Sequence, residues 1–323
     1  MTLNDITQPV QNELKEFEQH FRTAMKSDIM YVDLVVRYVM KQKGKRIRPI
    51  LVFLVAKALG QVNERTYRGA SLVEILHTAT LIHDDVVDDA DTRRGLASIN
   101  AVWKNKIAVL MGDYLLAKGL LLSLDNDEFL FLKILSDSVR RMSEAEILQI
   151  AKSRKLDIDE KTYLKIISDK TASLLSTCCQ IGAASVTADK GIMGRMRDFG
   201  ENVGMVFQIR DDLLDYVGRK SITGKPTGLD LQEKKLTLPL IHSLAKAPRA
   251  QSKQILKIIK KGAKSKELAN VVEFAHEFGG IDYATTKAGH YSSLAQEAIE
   301  FLEPSPAKEA LKSFVSFVME RSK

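Results

Sequence analysis

The sequence predicts an all-α fold, a large helical bundle, and three observations carry that expectation. Apolar residues recur at three- and four-residue spacing along nearly the whole chain, the signature of helices that bury one face. Alternating, strand-like patterns are scarce. Only 7 prolines interrupt 323 residues. With the turn chemistry between the periodic segments, these observations give a single domain, 1–323, of packed helices.

The first periodic segment, 3–21, is acidic and amphipathic. No basic region followed by an apolar stretch precedes it, so it does not read as a secretory signal. Segment 29–42 ends at Lys43-Gly44, and Pro49 suits the first turn of the next helix, 49–59. That helix holds the strongest apolar run, Ile50-Leu51-Val52-Phe53-Leu54-Val55-Ala56, which Lys57 ends far short of the ~20 residues a membrane span needs. Segment 66–90 is apolar until an acidic end. Asp91-Thr92-Arg93-Arg94-Gly95 reads as a polar loop before 98–124, 127–152, 160–185 and 190–217. The longest loop follows at 218–228, before 237–246, 250–262, 265–276, 280–301 and 305–321. No low-complexity linker and no internal repeat divides these segments.

Composition narrows the function. Hydrophobic residues are 45% and charged residues 28%, as in ordinary globular proteins, which excludes disordered, collagen-like and disulfide-rich classes. The two cysteines, Cys178 and Cys179, are adjacent, so a bridge between them would be strained; a reducing, cytoplasmic setting is expected. The net charge of +7 suits an anionic ligand. Aromatics are only 7%, however, and no basic patch is interleaved with them, so nucleic acid is not the expected partner.

Two acidic clusters carry the chemistry. His83-Asp84-Asp85-Val86-Val87-Asp88-Asp89 closes an otherwise apolar helix. Asp84 and Asp88 lie four apart, hence on one face, and sit at the helix end where the dipole disfavours anions. Carboxylates placed so ask for a counter-cation. Hard oxygen donors with open positions suit Mg²⁺ shared with phosphate. The pattern recurs in Asp211-Asp212-Leu213-Leu214-Asp215, where Gln208, Asp211 (or Asp212) and Asp215 share one stripe. One such cluster is ordinary surface chemistry; two matched clusters on apolar helices are not. A calcium loop would need alternating ligands around a glycine, a di-iron bundle would need Glu-x-x-His pairs, and a zinc site would need clustered His or Cys. None of these patterns is present.

Cations accompany both clusters. Gly44-Lys45-Arg46-Ile47-Arg48-Pro49 places three beside a helix start, where anions are favoured, and Arg offers a bidentate fork to phosphate. Arg93-Arg94 follows the first cluster, and His77 precedes Asp84 by two turns. Together they suggest a polyphosphate held between cations and Mg²⁺.

At this point the chain resembles the all-trans polyprenyl diphosphate synthases over nearly its whole length. Gly-Lys-Arg-Ile-Arg-Pro at 44–49, Leu-Ile-His-Asp-Asp-Val-Val-Asp-Asp at 81–89, Arg93-Arg94-Gly95, Gly112-Asp113-Tyr114, Asp169-Lys170-Thr171-Ala172, Gly204 to Asp215, Gly224-Lys225-Pro226-Thr227-Gly228-Leu229-Asp230 and Leu236-Thr237-Leu238-Pro239-Leu240 occur in the family's order. His77-Thr78-Ala79-Thr80 is similar to the long-chain branch, of which octaprenyl diphosphate synthase is one.

The resemblance implies the isoprenoid synthase fold, a helical bundle around a deep central cavity, as a homodimer. It implies condensation of isopentenyl diphosphate with an allylic diphosphate, farnesyl or geranylgeranyl, assisted by three Mg²⁺. The product would be a long all-trans polyprenyl diphosphate, a precursor of quinone side chains, with at most transient membrane contact at its release. Lys45, Arg48, His77 and Arg94 would hold isopentenyl diphosphate. Asp84, Asp88 and Asp211 would ligate metal, with Asp85 and Asp215 in support. Arg93, Lys170, Lys225 and Lys235 would grip the allylic diphosphate, and Lys170, Thr171 and Gln208 would line the reacting carbons. Chain length would be set at Leu76, Ala79 and Thr80, where small residues let the product pass, with Phe53, Phe129, Phe131 and Leu132 as deeper stops. The sequence departs from the family at Lys43, where a glycine is usual, and in Glu233-Lys234-Lys235, which lacks one. The basic tail Arg321-Ser322-Lys323 resembles one that caps the second substrate in relatives.

Two rivals stand beside this reading. A terpene cyclase shares the metal logic but lacks second-substrate cations such as Lys45, Arg48 and His77. A non-catalytic subunit would have lost one acidic cluster.

Overall fold

The structure is a computed structural model and describes residues 2–42, 44–217, 231, 234–262 and 265–320. The expected long loop with Lys225, and the basic tail at 321–323, lie outside the described residues. Among the described residues the regular structure is all helical apart from one small hairpin. The expected first segment is split by Pro9 into α1 (Leu3–Thr7), a short 3-10 turn and α2 (Gln11–Met25), because proline cannot donate to a continuous ladder. Then come α3 (Met30–Lys41), α4 (Ile47–Leu59), α5 (Glu64–Val87), α6 (Ile99–Leu124), α7 (Phe129–Lys155) and α8 (Glu160–Ile167). A π-turn, Ser168–Ala172, leads into α9 (Ser173–Ala184), followed by α10 (Lys190–Val217). The C-terminal part comprises α11 (Leu238–Lys246), α12 (Arg249–Lys260), α13 (Ser265–Glu277), α14 (Gly280–Ala298) and α15 (Pro306–Met319).

The apolar run read in the sequence becomes the centre of the molecule. Pro49 through Ala56 are all buried in α4, which is hydrophobic all round, as a helix enclosed by others must be. It is wrapped by α5, α9 and α15. α5 begins at Asn63, whose side chain accepts from the backbone N–H groups of Arg65 and Thr66, and its N-terminal half is buried against α4. The core has two lobes. The larger gathers α1 to α7, most of α9, the first half of α10, the end of α14 and α15; the smaller gathers α8, the second half of α10, α11 to α13 and the first half of α14. α10 spans both, with Phe199 and Val203 in one lobe and Ile209 and Leu213 in the other.

Two features depart from the sequence expectation. The polar loop at 91–95 is a hairpin: β1 (Thr92–Arg93) pairs antiparallel with β2 (Leu96–Ala97). Its two turn residues, Arg94 (φ 52°) and Gly95 (φ 79°), both take the left-handed region that two-residue hairpin turns require. The expected single helix at 160–185 is interrupted by the π-turn, which hydrophobic periodicity cannot reveal.

Glycine spacing sets how closely helices approach near that interruption. A Cβ on Gly204 of α10 would lie 2.4 Å from the Cα of Ala172, and one on Gly200 would lie 2.6 Å from the carbonyl oxygen of Leu175. The backbones of α9 and α10 therefore meet along a seam that admits no side chain. One turn beyond Gly204 lies Gln208. We expect Gly204→Ala to force α10 away from the π-turn and to cost about 1–3 kcal/mol of stability, read as a lowered Tm. An unchanged Tm would show that the seam can relax.

Candidate active site

The C-terminal end of α5 presents four aspartates with distinct surroundings. Asp85 is buried and accepts from Arg93 at two nitrogens, Nε at 2.6 Å and Nη2 at 2.5 Å. Asp84 and Asp88, four residues apart, remain exposed at the surface of the same helix end. The Asp84 carboxyl is pushed above its ordinary value, first by desolvation and then by the negative charges of Glu146 and Asp88, against the pull of Lys170 and Arg93. It occupies a site short of positive charge.

The second cluster repeats the arrangement. Asp212 is buried, accepting from the Tyr163 hydroxyl at 2.6 Å and from the Gln208 amide at 2.8 Å. Asp211 is exposed and Asp215 half-buried. In each cluster, then, one member of the Asp-Asp pair is tied into the protein and its neighbour is turned outward. The sequence left open whether Asp211 or Asp212 belonged to the working stripe, and these bonds identify Asp212 as the anchored one.

The π-turn joins the two clusters. Lys170 Nζ pairs with Glu146 at 2.5 Å and donates to Gln149 at 2.8 Å, both on α7. It stands near enough to Asp84 to act on its charge. The next residue, Thr171, donates its hydroxyl hydrogen to Gln208 Oε1 at 2.8 Å, and Gln208 in turn donates to Asp212. Lys170, Thr171, Gln208, Asp212 and Lys235 line one pocket, of about 130 Å³. Lys152 and Lys234 add further positive charge to it.

A second pocket lies across α5. His77, Glu74, Asp85, Arg93 and Arg94 line it with Gly44 and Arg46. It adjoins a basic cleft of about 540 Å³ formed by Lys45, Arg46, Arg48, Arg94 and Glu74. His77 is buried and held well below its ordinary value, by desolvation first and then by Arg48, Arg94 and Arg93. It is therefore neutral at physiological pH, with one N–H to donate. Burial lowers Arg48, while Glu74 supports its charge, and Arg48 Nε lies buried without a hydrogen-bond partner. Arg46 at the start of α4 takes a left-handed backbone (φ 50°), as does Arg94, so two of these cations sit on strained positions.

Arg94 is fixed by the hairpin. Its Nη1 donates to the Gln42 carbonyl at 2.9 Å, and a Cβ on Gly44 would fall 2.4 Å from that same nitrogen. Only glycine lets the guanidinium lie there. Ala97 accepts from the Tyr38 hydroxyl and the Gln42 amide, and Ser98 Oγ donates to the Ala90 carbonyl, so the hairpin is tied to α3 and α5.

The predicted residues thus divide between two pockets, of which α5 lines the first and α7, the π-turn and α10 line the second. Lys45, Arg48, His77 and Arg94 gather on one side; Lys170, Thr171, Gln208 and Lys235 gather on the other. Arg93 reaches Asp85 between them. Lys225 lies outside the described residues. Leu76 and Ala79 are buried in the core and Thr80 is half-buried, while Phe129 is 59% exposed on the outer face of α7, which removes it as an internal stop. Sequence reasoning missed Glu74, Glu146, Gln149 and Tyr163. Glu74 had a visible signal, an acid inside the apolar stretch from Leu72 to Leu76.

The donor set bears on a metal directly. Among the described residues no three His, Cys, Asp or Glu side chains converge on one point, so the protein alone does not complete a coordination shell. The outward carboxylates Asp84, Asp88 and Asp211 are hard oxygen donors. They fit Mg²⁺ or Ca²⁺ ligated partly by phosphate oxygens and water. Replacing Gly44 with Ala should displace Arg94 and raise the KM for the ligand of the basic cleft about tenfold, with little change for the other pocket. Equal effects on both would mean that Gly44 matters only for folding.

The polyprenyl synthetase family model matches residues 30–275. The chain is 35% identical over 318 residues to an all-trans-nonaprenyl-diphosphate synthase (geranyl-diphosphate specific) of Rhodobacter capsulatus, covering 98% of this chain and 97% of that one. It is 31% identical over 322 residues to the octaprenyl diphosphate synthase of Haemophilus influenzae, covering 100% and 98%. A crystal structure of a polyprenyl synthase from Caulobacter crescentus, complexed with calcium and isoprenyl diphosphate, superposes with a TM-score of 0.90 at 29% identity, over 100% of this chain and 98% of that one.

Proposed function

The chain belongs to the polyprenyl synthetase family and is a prenyltransferase that makes long-chain polyprenyl diphosphate, and from that premise we propose how its residues divide the reaction. The allylic diphosphate occupies the pocket of Lys170, Thr171, Gln208 and Lys235. Isopentenyl diphosphate occupies the basic cleft of Lys45, Arg48 and Arg94, with neutral His77 donating a hydrogen bond from the adjoining pocket. The observation that carries this reading is the paired Asp-Asp arrangement, in which Asp85 and Asp212 are buried and bonded to the protein while Asp84, Asp88 and Asp211 are exposed where a metal and phosphate can reach them.

Asp84, Asp88 and Asp211, with Asp215 beside them, would hold Mg²⁺ on the allylic diphosphate. When bound, the metal neutralises the diphosphate and stabilises it as a leaving group. Lys170 and Lys235 add fixed positive charge where negative charge grows as the allylic C–O bond breaks. The carbocation left behind faces Thr171. That hydroxyl has committed its hydrogen to Gln208, so its lone pairs remain to stabilise the cation. The alkene of isopentenyl diphosphate, held by Arg48 and Arg94, attacks the cation, forming the new C–C bond. The resulting cation loses a proton to the departing pyrophosphate, which restores the double bond. Water must be kept from the cation, and Ile158, Ile166, Ile167 and Leu236 are the apolar residues of the pocket that would do so.

Purified protein given isopentenyl diphosphate, farnesyl diphosphate and Mg²⁺ should release pyrophosphate and yield a ladder of longer polyprenyl diphosphates by mass spectrometry. A cyclised hydrocarbon, or no release at all, would sink the assignment. Asp84→Asn or Asp211→Asn should each lower kcat by about 10²–10³, while the far-ultraviolet spectrum stays unchanged.

Chain length is proposed to be read along α5 below Asp84. Ala79 is small and buried, so a bulkier side chain there would shorten the space for the product. Ala79→Tyr should truncate the product, as mass spectrometry would reveal; full-length chains from this variant would place the ruler elsewhere.

A homodimer is proposed from the outer face of α6 and α7. α6 is long and apolar enough to cross a membrane by length and composition, yet it packs along α5, with which it shares one of the most extensive contacts in the fold. Its outward residues include Leu110 and Leu121, beside Phe129 and Ile147 on α7. Exposed apolar residues gathered on two neighbouring helices ask for cover, and a second copy offers the same face in return. Leu110→Glu combined with Leu121→Glu should convert a dimer to a monomer in sedimentation equilibrium. Wild-type protein that sediments as a monomer would refute this.

A further inference from the structure

The π-turn at Ser168–Ala172 is held by a network of charges that the reaction scheme above does not use. Arg141, on α7, donates from Nε to Asp169 at 2.7 Å and from Nη2 to both Ser168 Oγ at 3.0 Å and Glu201 at 2.7 Å. Lys165 takes the other Asp169 oxygen at 2.6 Å. Ser168 Oγ donates to Glu201 on α10 at 2.6 Å, and Ser173 Oγ donates to the Asp169 carbonyl at 2.6 Å. Asp169 is buried, and Arg141 and Glu201 are half-buried. Burial opposes the charge on Arg141, yet its bonds to Glu201 and Asp169 outweigh that and hold it above the usual range. The Asp169 carboxyl is held down by Lys165 and Arg141 in spite of its burial.

Such a network is a poor way to gain stability, because desolvating charged groups cancels most of their attraction. It makes sense as a device for placement. Among the described residues this is the one π-turn, and π-turns recur where a functional side chain must be re-aimed. The extra residue lets three consecutive side chains point to three different partners. Asp169 faces Arg141, Lys170 faces Glu146 and Gln149 at the pocket rim, and Thr171 faces Gln208. The clamp grips the turn from α7 on one side and from α10 on the other.

We propose that Arg141, Asp169 and Glu201 are positioning residues, a buried clamp that fixes the π-turn so that Lys170 and Thr171 face the allylic diphosphate pocket. The inference rests on the roles proposed above for Lys170 and Thr171. None of the three clamp residues touches that pocket, so each acts through the turn.

The test is steady-state kinetics on Asp169→Asn, Arg141→Met, Arg141→Lys, Glu201→Gln and Lys170→Ala, with Tm measured on each. Asp169→Asn should lower kcat about tenfold or more, since a misplacement near 1 Å can cost that much. It should raise the KM for the allylic diphosphate and leave the KM for isopentenyl diphosphate unchanged. Arg141→Lys should recover part of what Arg141→Met loses. Because Asp169 acts through Lys170, the double variant Asp169→Asn/Lys170→Ala should be little slower than Lys170→Ala alone. Fully multiplicative losses, equal changes in both KM values, or a lowered Tm with wild-type kcat per folded molecule would each overturn the clamp. If Asp169→Asn fails to fold, Glu201→Gln carries the same kinetic expectation and the same refutation. An impaired Lys170→Ala beside an unimpaired Asp169→Asn sinks the clamp alone, whereas an unimpaired Lys170→Ala sinks the role of Lys170 and the clamp with it.

Discussion

The site depends on an asymmetry within each Asp-Asp pair. Asp85 is fastened to Arg93, and Asp212 to Tyr163 and Gln208. Those bonds fix the rotation of two helix ends and leave Asp84, Asp88 and Asp211 facing outward. Adjacent residues on a helix point about 100° apart, so anchoring one member of the pair aims the other. Without the anchors, several like charges crowded at the negative end of a helix would repel one another and fray it.

The cations are placed by backbone rather than by charge alone. Arg94 stands in the turn of a hairpin, which is itself tied to α3 and α5, and it rests against Gly44, where any side chain would displace its guanidinium. Arg46 opens α4 in a left-handed conformation. Lys170 depends on the π-turn, and Gln208 on the glycine seam that brings α10 against α9. The two pockets differ in what lines them: α3, α5 and the hairpin on one side, and α7, α8, the π-turn and α10 on the other.

Much of this was legible in the sequence. The helical segments emerge from apolar spacing, and the two acidic clusters with their neighbouring cations identify the chemistry before any coordinates. Local geometry was less legible. Spacing pairs Asp84 with Asp88 in the sequence, but that Asp85 is buried and fastened to Arg93 shows only in the structure. The hairpin at Arg94-Gly95 is too short to give a strand pattern, and the π-turn adds one residue to an otherwise continuous periodicity. Glu146 and Gln149 read as the polar side of α7, because their partner Lys170 is distant in sequence. Phe129 reads as core by residue type and lies outside, since an aromatic in sequence does not state which face of a helix it occupies.

The central claim is that the outward aspartates of both clusters share metal around one diphosphate while their anchored neighbours stay fastened. A crystal structure with Mg²⁺ and a non-cleavable allylic diphosphate analogue tests it most directly. The account predicts metal density between the diphosphate and Asp84, Asp88 and Asp211, with Asp85 still on Arg93 and Asp212 still on Tyr163. Metal bound instead by Asp85 or Asp212, or a diphosphate seated away from both acidic clusters, would contradict it.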